Sequence, residues 1–536
     1  MGRLSAAEIK KHLMANWYFP VSAMAFFCIS IDNTLAYCLG MVVAFAAMVI
    51  IAARVPSVWA LVRGKGRAMT LFCLFSALGI CLGNQEQFLR RAMQLNLPEH
   101  MNIYLIALSY FGAAAAFCFV YICLVLFWQK LIAICRENGI FRGITRGEWA
   151  LYGALALGSM LFAAWAFSRS QMFYGTEYNY DLIYTSDSPA LIKGGVYHFL
   201  THKQNDIRQP LFSVFAAPFV GIPLLLGRLP GMTASLRAIL LNCSQIALLF
   251  AANVILTRIM DLEPGKRMCV MGILCFSYTQ LLFILMMEQY IVAYFWLVLC
   301  VFLITRGRVE PVVLWGAGGT LLTSAVLMPF LSAHHPVRAF KAWFLDMLKL
   351  GFGFLGAILV WSRFDVLFLA VEQLVYLDQF TGHTVTMLDK ICQFTAFVPA
   401  CFTGPRTRII EMGWYLQEVT ALNYAGIALF VLAVVSGILN RKHRGSQLAL
   451  FWVAFSAVML VGLGWGTAEN GLILYALYFG WAYLALIFRL VENIAQWLKL
   501  RYLVSAVGIA CAVGFAVVNI PQIMDLVRFA IAMHPV

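Results

Sequence analysis

Charge is what this chain has least of. Only 12% of its 536 residues are Asp, Glu, Lys or Arg, against 62% hydrophobic, and the mean hydropathy is +0.84. That balance excludes a soluble globule. The charges present also avoid the middle of the apolar runs: no predicted span carries Asp, Glu, Lys or Arg near its centre. Ion-coupled carriers and proton relays usually keep such groups at mid-bilayer, so the pattern argues against passage through the membrane. A Walker loop, a dinucleotide fingerprint, an internal repeat and low-complexity tracts are all lacking. A nucleotide-driven pump or an enzyme fed by soluble sugar nucleotides is therefore disfavoured. No basic stretch is long or interleaved with aromatics, so the net charge of +14 does not indicate nucleic acid as a partner. It fits cytoplasmic loops facing anionic lipid instead. No small-residue cleavage site follows Arg3, Lys10 and Lys11, and the N-terminus is read as a retained cytoplasmic end.

What the chain has in abundance is apolar length. Runs from 16–32 through to 503–520 predict an all-α polytopic membrane protein with about 13 to 15 transmembrane helices. Basic clusters punctuate them: Arg54 to Arg67, Lys130 to Arg146, Arg258 to Arg267, Arg306 with Arg308, Arg441 to Arg444, and Arg489 to Arg501. With the N-terminus inside, all six fall on the cytoplasmic side if two runs do not cross. The run 211–227, holding Pro218 and Pro223, would dip into the outer leaflet, and 311–333, interrupted at Gly316, Gly318 and Gly319, would form a hairpin of two short helices. The expected segments are a four-helix module over 1–148, a core over 149–361 with an outer loop at 168–210, a second outer loop at 362–423, and C-terminal helices over 424–536. The tail from Ile520 to Val536 reads as a short interfacial amphipathic helix. Most of the 14 cysteines sit in apolar runs and read as core hydrophobes. Cys392 and Cys401 share the second outer loop and would pair only if that loop meets an oxidising space.

The outer loops hold the chemistry. Loop 168–210 is too rich in aromatic and apolar residues for disorder, and a loop of that length is usually functional. It contains Asp181, Asp187 in Tyr184-Thr185-Ser186-Asp187-Ser188-Pro189, and the corner Arg208-Gln209-Pro210-Leu211-Phe212. Met287-Glu288-Gln289-Tyr290 and Glu469-Asn470 reach the same predicted face, as do Arg406 and Arg408 of Gly404-Pro405-Arg406-Thr407-Arg408. Acids gathered at one surface suit chemistry there. His198 and His202 read either as a zinc pair or, more simply, as surface histidines.

The order of these motifs resembles the GT-C superfamily of integral-membrane glycosyltransferases, of the protein O-mannosyltransferase and aminoarabinose-transferase type. In those enzymes an outer acidic loop precedes a Lys-Pro-Pro-Leu or His-Pro-Pro-Leu corner, and two further spans lead to a second outer acid. Gly319-Thr320-Leu321-Leu322-Thr323 is similar to a Gly-x-x-x-Leu-Thr-Lys stretch in that family without its lysine, and Gln209 replaces the first proline of the corner. The likeness covers the region from about 149 to 330. It implies transfer of a sugar from a polyprenyl-phosphate donor to an outward-facing glycan, lipid or protein, with inversion.

Such transfer needs a base near the acceptor hydroxyl and positive charge near the leaving phosphate. Asp187 is the expected base, raised toward neutrality at the bilayer rim; helix capping by Asp187 or Ser188 is the structural alternative. Asp181, Glu288 and Glu469 are expected to bind acceptor or sugar hydroxyls. For Glu288 the alternative is a solvated turn, or a metal shared with Asp187. Arg208, Arg406 and Arg408 are expected at the donor phosphate. No tightly held metal or other cofactor is expected, although family members differ in their need for a divalent ion. A polymerase or ligase using lipid-linked oligosaccharide, a flippase for lipid-linked sugars, and a non-catalytic scaffold are the alternatives. The expected location is a bacterial-type inner membrane with the active site on the outer face.

Overall fold

The computed structural model describes residues 5–28, 34–63, 66–83, 102–175, 182–184, 207–332, 334, 336–361, 375, 377–378, 380–405, 407–410, 413–416, 422–468 and 471–536. Nearly all of these are helical. Seven helices are long and apolar enough to cross a membrane, or eight if the bent pair Pro264–Phe276 and Tyr278–Leu285 counts as one span. The protein is therefore a polytopic helical membrane protein. Shorter apolar helices such as Arg67–Gly83, Phe212–Leu226, Gln289–Thr305 and Tyr424–Leu439 account for most of the remaining predicted runs. Among the described residues the exception to helix is a small antiparallel hairpin, β1 (Thr407–Ile410) with β2 (Gly413–Leu416).

The chain divides into two units. One comprises Met1–Asn138, Gly194–Thr233 and Leu314–Gln373; the other comprises Gly139–Lys193, Ala234–Val313 and Leu374–Val536. The expected linear segments are thus interleaved, and the N-terminal module shares a unit with two later stretches.

The first unit contains α1 (Ala6–Asn16), α2 (Tyr18–Cys28), α3 (Thr34–Arg54), α4 (Val58–Val62), α5 (Arg67–Gly83) and α6 (Asn102–Glu137). Ser5 opens α1 with a capping box to Glu8. Asn16 ends it with a buried amide that binds Ala52 O at 3.0 Å and Val55 O at 2.7 Å and accepts from Val58 N at 2.7 Å. One side chain thereby satisfies the C-terminus of α3 and the N-terminus of α4. The run 211–227 forms α8 (Phe212–Leu226), which follows α7 of the second unit (Arg146–Arg169) in the chain. Pro218 and Pro223 lie inside α8, and Gly221 meets α5 so closely that a Cβ would stand 2.7 Å from Ser76 Cβ and O. Small residues are what allow membrane helices such contact. The run 311–333 breaks as expected, into a helix over Pro311–Thr320 and a 3₁₀ segment over Leu322–Leu331.

The second unit is built around α12 (Gln289–Thr305), a helix buried on nearly every side, with α9 (Ala234–Ile259), α10 (Pro264–Phe276), α11 (Tyr278–Leu285), α15 (Met387–Ala400), α16 (Leu422–Leu439), α17 (Arg444–Ala457), α18 (Ala476–Trp497) and α19 (Leu503–Met533). Helix α13 is Pro311–Thr320 and α14 is Phe340–Val360. The span containing α18 is 78% buried in its apolar window while that of α19 is 17%, which makes α18 central and α19 peripheral. The exposed face of α19, including Ile509, Val513 and Val517, is apolar because lipid is its solvent.

Charges collect at one end of this unit. Thr145 and Glu148 form a capping box at the start of α7, and Glu148 holds Arg267 through two bonds of 2.6 and 2.9 Å. Arg306 pairs with Asp261 at 2.8 Å, and Glu492 accepts from Lys266 at 2.9 Å and Arg489 at 2.8 Å. Of the basic clusters in the sequence, those at Arg258–Arg267, Arg306, Arg441–Arg444 and Arg489–Arg501 are thus brought together.

Two expectations need correction. Much of 380–400 is not a polar outer loop but helix α15, opened by Thr386, whose hydroxyl accepts from Asp389 N at 3.2 Å, and packed so tightly on α16 that a Cβ at Gly426 would meet Thr395 O. Cys392 and Cys401 are both free thiols; nine residues of helix separate them by about 13 Å, beyond disulfide reach. The tail from Ile520 is likewise no separate interfacial helix. It continues α19 to Met533, because the polar Asn519 that marks an apparent span end is buried and bonded inside the protein.

Candidate functional site

At the end of the second unit opposite the charge cluster, α11 stops and Glu288 turns the chain into α12. Seventeen helical residues place Glu288 about 25 Å from the Arg306 end. Its side chain is fully buried and does not cap α12, so the solvated-turn alternative is wrong. Amides of α9 surround this turn: Gln245 Nε2 donates to Glu288 O at 3.1 Å, and Asn242 Nδ2 to Ile284 O at 2.7 Å. They satisfy backbone left open by the end of α11 and fix where the carboxylate stands.

Two residues beyond Glu288, Tyr290 is the centre of an aromatic cluster. Tyr290 packs on Phe283, Tyr475 and Tyr478 with centroids 5.6, 6.1 and 5.2 Å apart. Tyr475 in turn lies under Gly466, whose φ of +75° and lack of a side chain allow the approach, since a Cβ would stand 2.6 Å from the ring. Gly464 and Gly466 belong to a turn that pairs with the chain before α15: Gly382 N donates to Gly464 O at 3.0 Å, Gly466 N donates to Phe380 O at 2.8 Å, and Trp465 stacks at 5.9 Å on Phe380. On its exposed side His383 and Asp378 form a 2.5 Å hydrogen bond that holds the Asp378 carboxyl below the usual carboxylate range.

A second buried cluster fixes the bend between α10 and α11. The two helices meet at 58° around Ser277, which frees Phe276 O. Asn519 Nδ2 donates to Phe276 O at 2.8 Å and to Phe402 O at 2.7 Å, while its Oδ1 accepts from Gly404 N at 2.9 Å. Tyr278 N donates to Phe402 O at 2.9 Å, and the hydroxyls of Tyr278 and Tyr184 meet at 2.5 Å. Tyr184 adopts φ +51°, a conformation rare outside glycine. Gly404, at the start of the basic motif, is therefore held by Asn519 of α19, and Tyr184 of loop 168–210 by Tyr278 of α11.

In the first unit two other motifs meet. Leu211 N donates to Gly319 O and Leu322 N donates to Arg208 O, both at 2.8 Å. Gly319 has to lack a side chain, because a Cβ would lie 2.6 Å from Leu211 Cβ. The Arg208–Phe212 corner and the Gly319–Thr323 run thus form one paired unit of backbone.

Of the expected site residues, Glu288 and Arg208 are described, one in each unit, and Arg408 is described as part of strand β1. Asp181, Asp187, Glu469, Arg406 and the histidines His198 and His202 lie outside the described residues. Sequence reasoning passed over Tyr475 and Asn519. Gly464-Trp465-Gly466 just beyond an apolar run was the available signal for Tyr475; nothing local marked Asn519. Among the described residues no three His, Cys, Asp or Glu side chains come together as metal ligands.

No family model matches the chain, and no curated protein or solved structure resembles it.

Proposed function

We propose that this protein is a GT-C-type membrane glycosyltransferase. It takes a sugar from a polyprenyl-phosphate carrier and places it on an outward-facing glycan, lipid or protein, in a bacterial-type inner membrane with the N-terminus in the cytoplasm. The observation that carries the proposal is Glu288: a fully buried carboxylate at a helix break, about 25 Å from the charged end of the unit, where the side chains that α9 brings to the turn are amides. A group so costly to bury is retained where a function uses it. Beside it Tyr290 and Tyr475 supply the aromatic surface on which sugar rings are commonly held. The two remaining supports are the meeting of the Arg208 corner with Gly319–Leu322, and the bond of Tyr184 to Tyr278 of α11.

In this mechanism Asp187 removes the acceptor proton as the hydroxyl attacks the anomeric carbon. The bond to the carrier phosphate breaks in line, configuration inverts, and Arg406 with Arg408 receives the departing phosphate. Glu288, with Asp181 and Glu469, orders hydroxyls of the sugar or acceptor.

The test is sugar transfer by protein in lipid vesicles, offered a panel of polyprenyl-phosphate sugars. Wild type should transfer sugar or slowly hydrolyse a donor. Asp187→Asn should lose this while still binding donor, and Glu288→Gln should lower transfer roughly ten- to hundredfold, the worth of a hydrogen bond to a charged group. Full activity in Asp187→Asn would place the base elsewhere. No binding or consumption of any donor would refute the proposal.

A further inference from the structure

The break between α10 and α11 opens a cleft in the second unit. The two helices meet at 58°, and the space in their crook, about 280 Å³, lies between them, α7 and α19. Gly158 and Phe162 of α7, Cys275 and Ile284 on either side of the bend, and Ile523 and Met524 of α19 line it. The lining is apolar apart from Ser159 and Cys275, which interact with each other. Gly158 keeps the cleft wide, since a Cβ there would meet nothing within 4 Å. On its flanks Leu157 and Leu161 of α7 and Ile520 of α19 are exposed, so the cleft opens on the lipid-facing surface.

Depth selects what enters. Gly158 lies ten residues from Glu148 at the charged end of α7, about 15 Å. Cys275 lies eight residues from Arg267 at the charged end of α10, about 12 Å. The hydrocarbon core of a bilayer is about 30 Å thick, so the cleft sits near its centre, beyond the reach of headgroups. Water finds too few partners there, and an empty void would forfeit dispersion contacts along its walls. A helix, about 10 Å across with its side chains, is too thick for this volume. We propose that the cleft holds one acyl chain of a bilayer phospholipid, bound as a resident lipid between α7 and α19. The chain lies against Ile284, whose carbonyl accepts from Asn242 at 2.7 Å, one turn before Glu288. The lipid thereby braces the turn that carries the buried carboxylate. This site stands independently of the sugar-transfer proposal.

The experiment uses full-length protein stripped of lipid in detergent and then given palmitoyl-oleoyl phosphatidylcholine, whose headgroup carries no net charge. Native mass spectrometry counts the lipid retained, and Tm is followed alongside. Wild type should retain one phosphatidylcholine and gain Tm as lipid is added. Gly158→Leu fills the cleft and should retain at least about tenfold less, the effect of overpacking, with no lipid-dependent gain in Tm. Gly153→Leu puts the same side chain on α7 outside the lining and should behave as wild type. Equal retention by wild type and Gly158→Leu, or equal loss in both variants, would overturn the proposal. So would retention of polyprenyl phosphate in place of phosphatidylcholine when both are offered. If Gly158→Leu fails to fold, wild type is crosslinked to phosphatidylcholine carrying a diazirine on an acyl chain. Crosslinks should concentrate on Phe162 and Met524 over Ile509 and Val513 of the bare face of α19, and even labelling would overturn the site.

Discussion

Asn519 shows how one side chain can hold a bend in a membrane protein. Its three hydrogen bonds, to Phe276 O, Phe402 O and Gly404 N, satisfy groups for which lipid offers no substitute. Asn519→Leu should cost about 1–3 kcal/mol for each group left without a partner, read as a lower Tm in detergent. An unchanged Tm would mean that these groups find other partners. In the sequence Asn519 is one polar residue inside the predicted run 503–520, and only the folded chain shows that it is buried. Glu288 was legible as an acid between two apolar runs, but its burial was not, because the amides that enclose it come from α9, some forty residues earlier.

Among the elements, the long spans followed directly from apolar length, since twenty or so such residues have few other stable fates. Helix α15 was missed because Asp389, Lys390 and His383 suggested a loop, although Thr386-x-x-Asp389 followed by apolar residues at helical spacing is a start signal. The Gly319 break was legible from its glycines. The contact of α5 with α8 was not, because a glycine does not reveal which partner it faces. At Gly221 the partner is Ser76. Gly221→Val should push the helices apart and sharply reduce the yield of monodisperse protein on size exclusion, by the overpacking penalty of about 1–3 kcal/mol or more. Gly153→Ala, where a Cβ meets nothing within 4 Å, should leave yield and Tm unchanged or slightly improved.

For the molecule as a whole, the positions of lysine and arginine along the chain were enough to anticipate that α7, α9, α10, α12, α17 and α18 would bring their basic ends together. What spacing could not supply was the pairing within that cluster. Asp261 sits between His443, with Oδ2 3.6 Å from Nε2, and Arg306 at 2.8 Å. The hydrogen bond with His443 and the charge of Arg306 hold its carboxyl below the usual range. A depressed carboxylate adds stability above its unfolded pKa, and that stability is lost as pH falls from about 4 through the folded value. The Tm of wild type should therefore fall more steeply below about pH 4 than that of Asp261→Asn, and parallel curves would remove Asp261 from the acid response. At the opposite end, the hydroxyl of Ser170 donates to Ala530 O at 2.7 Å and to His534 O at 2.8 Å, and Gln171 N donates to His534 O at 2.8 Å. The strand of chain that leads into the acidic loop is thus tied by a segment made 364 positions later. During synthesis α7 enters the membrane long before its fastener exists, so the start of this loop stays unlatched until α19 has been inserted. A chain stalled or cut short of α19 would have its earlier helices in the membrane but would leave Ser170 and Gln171, at the entrance to its acidic loop, unfastened.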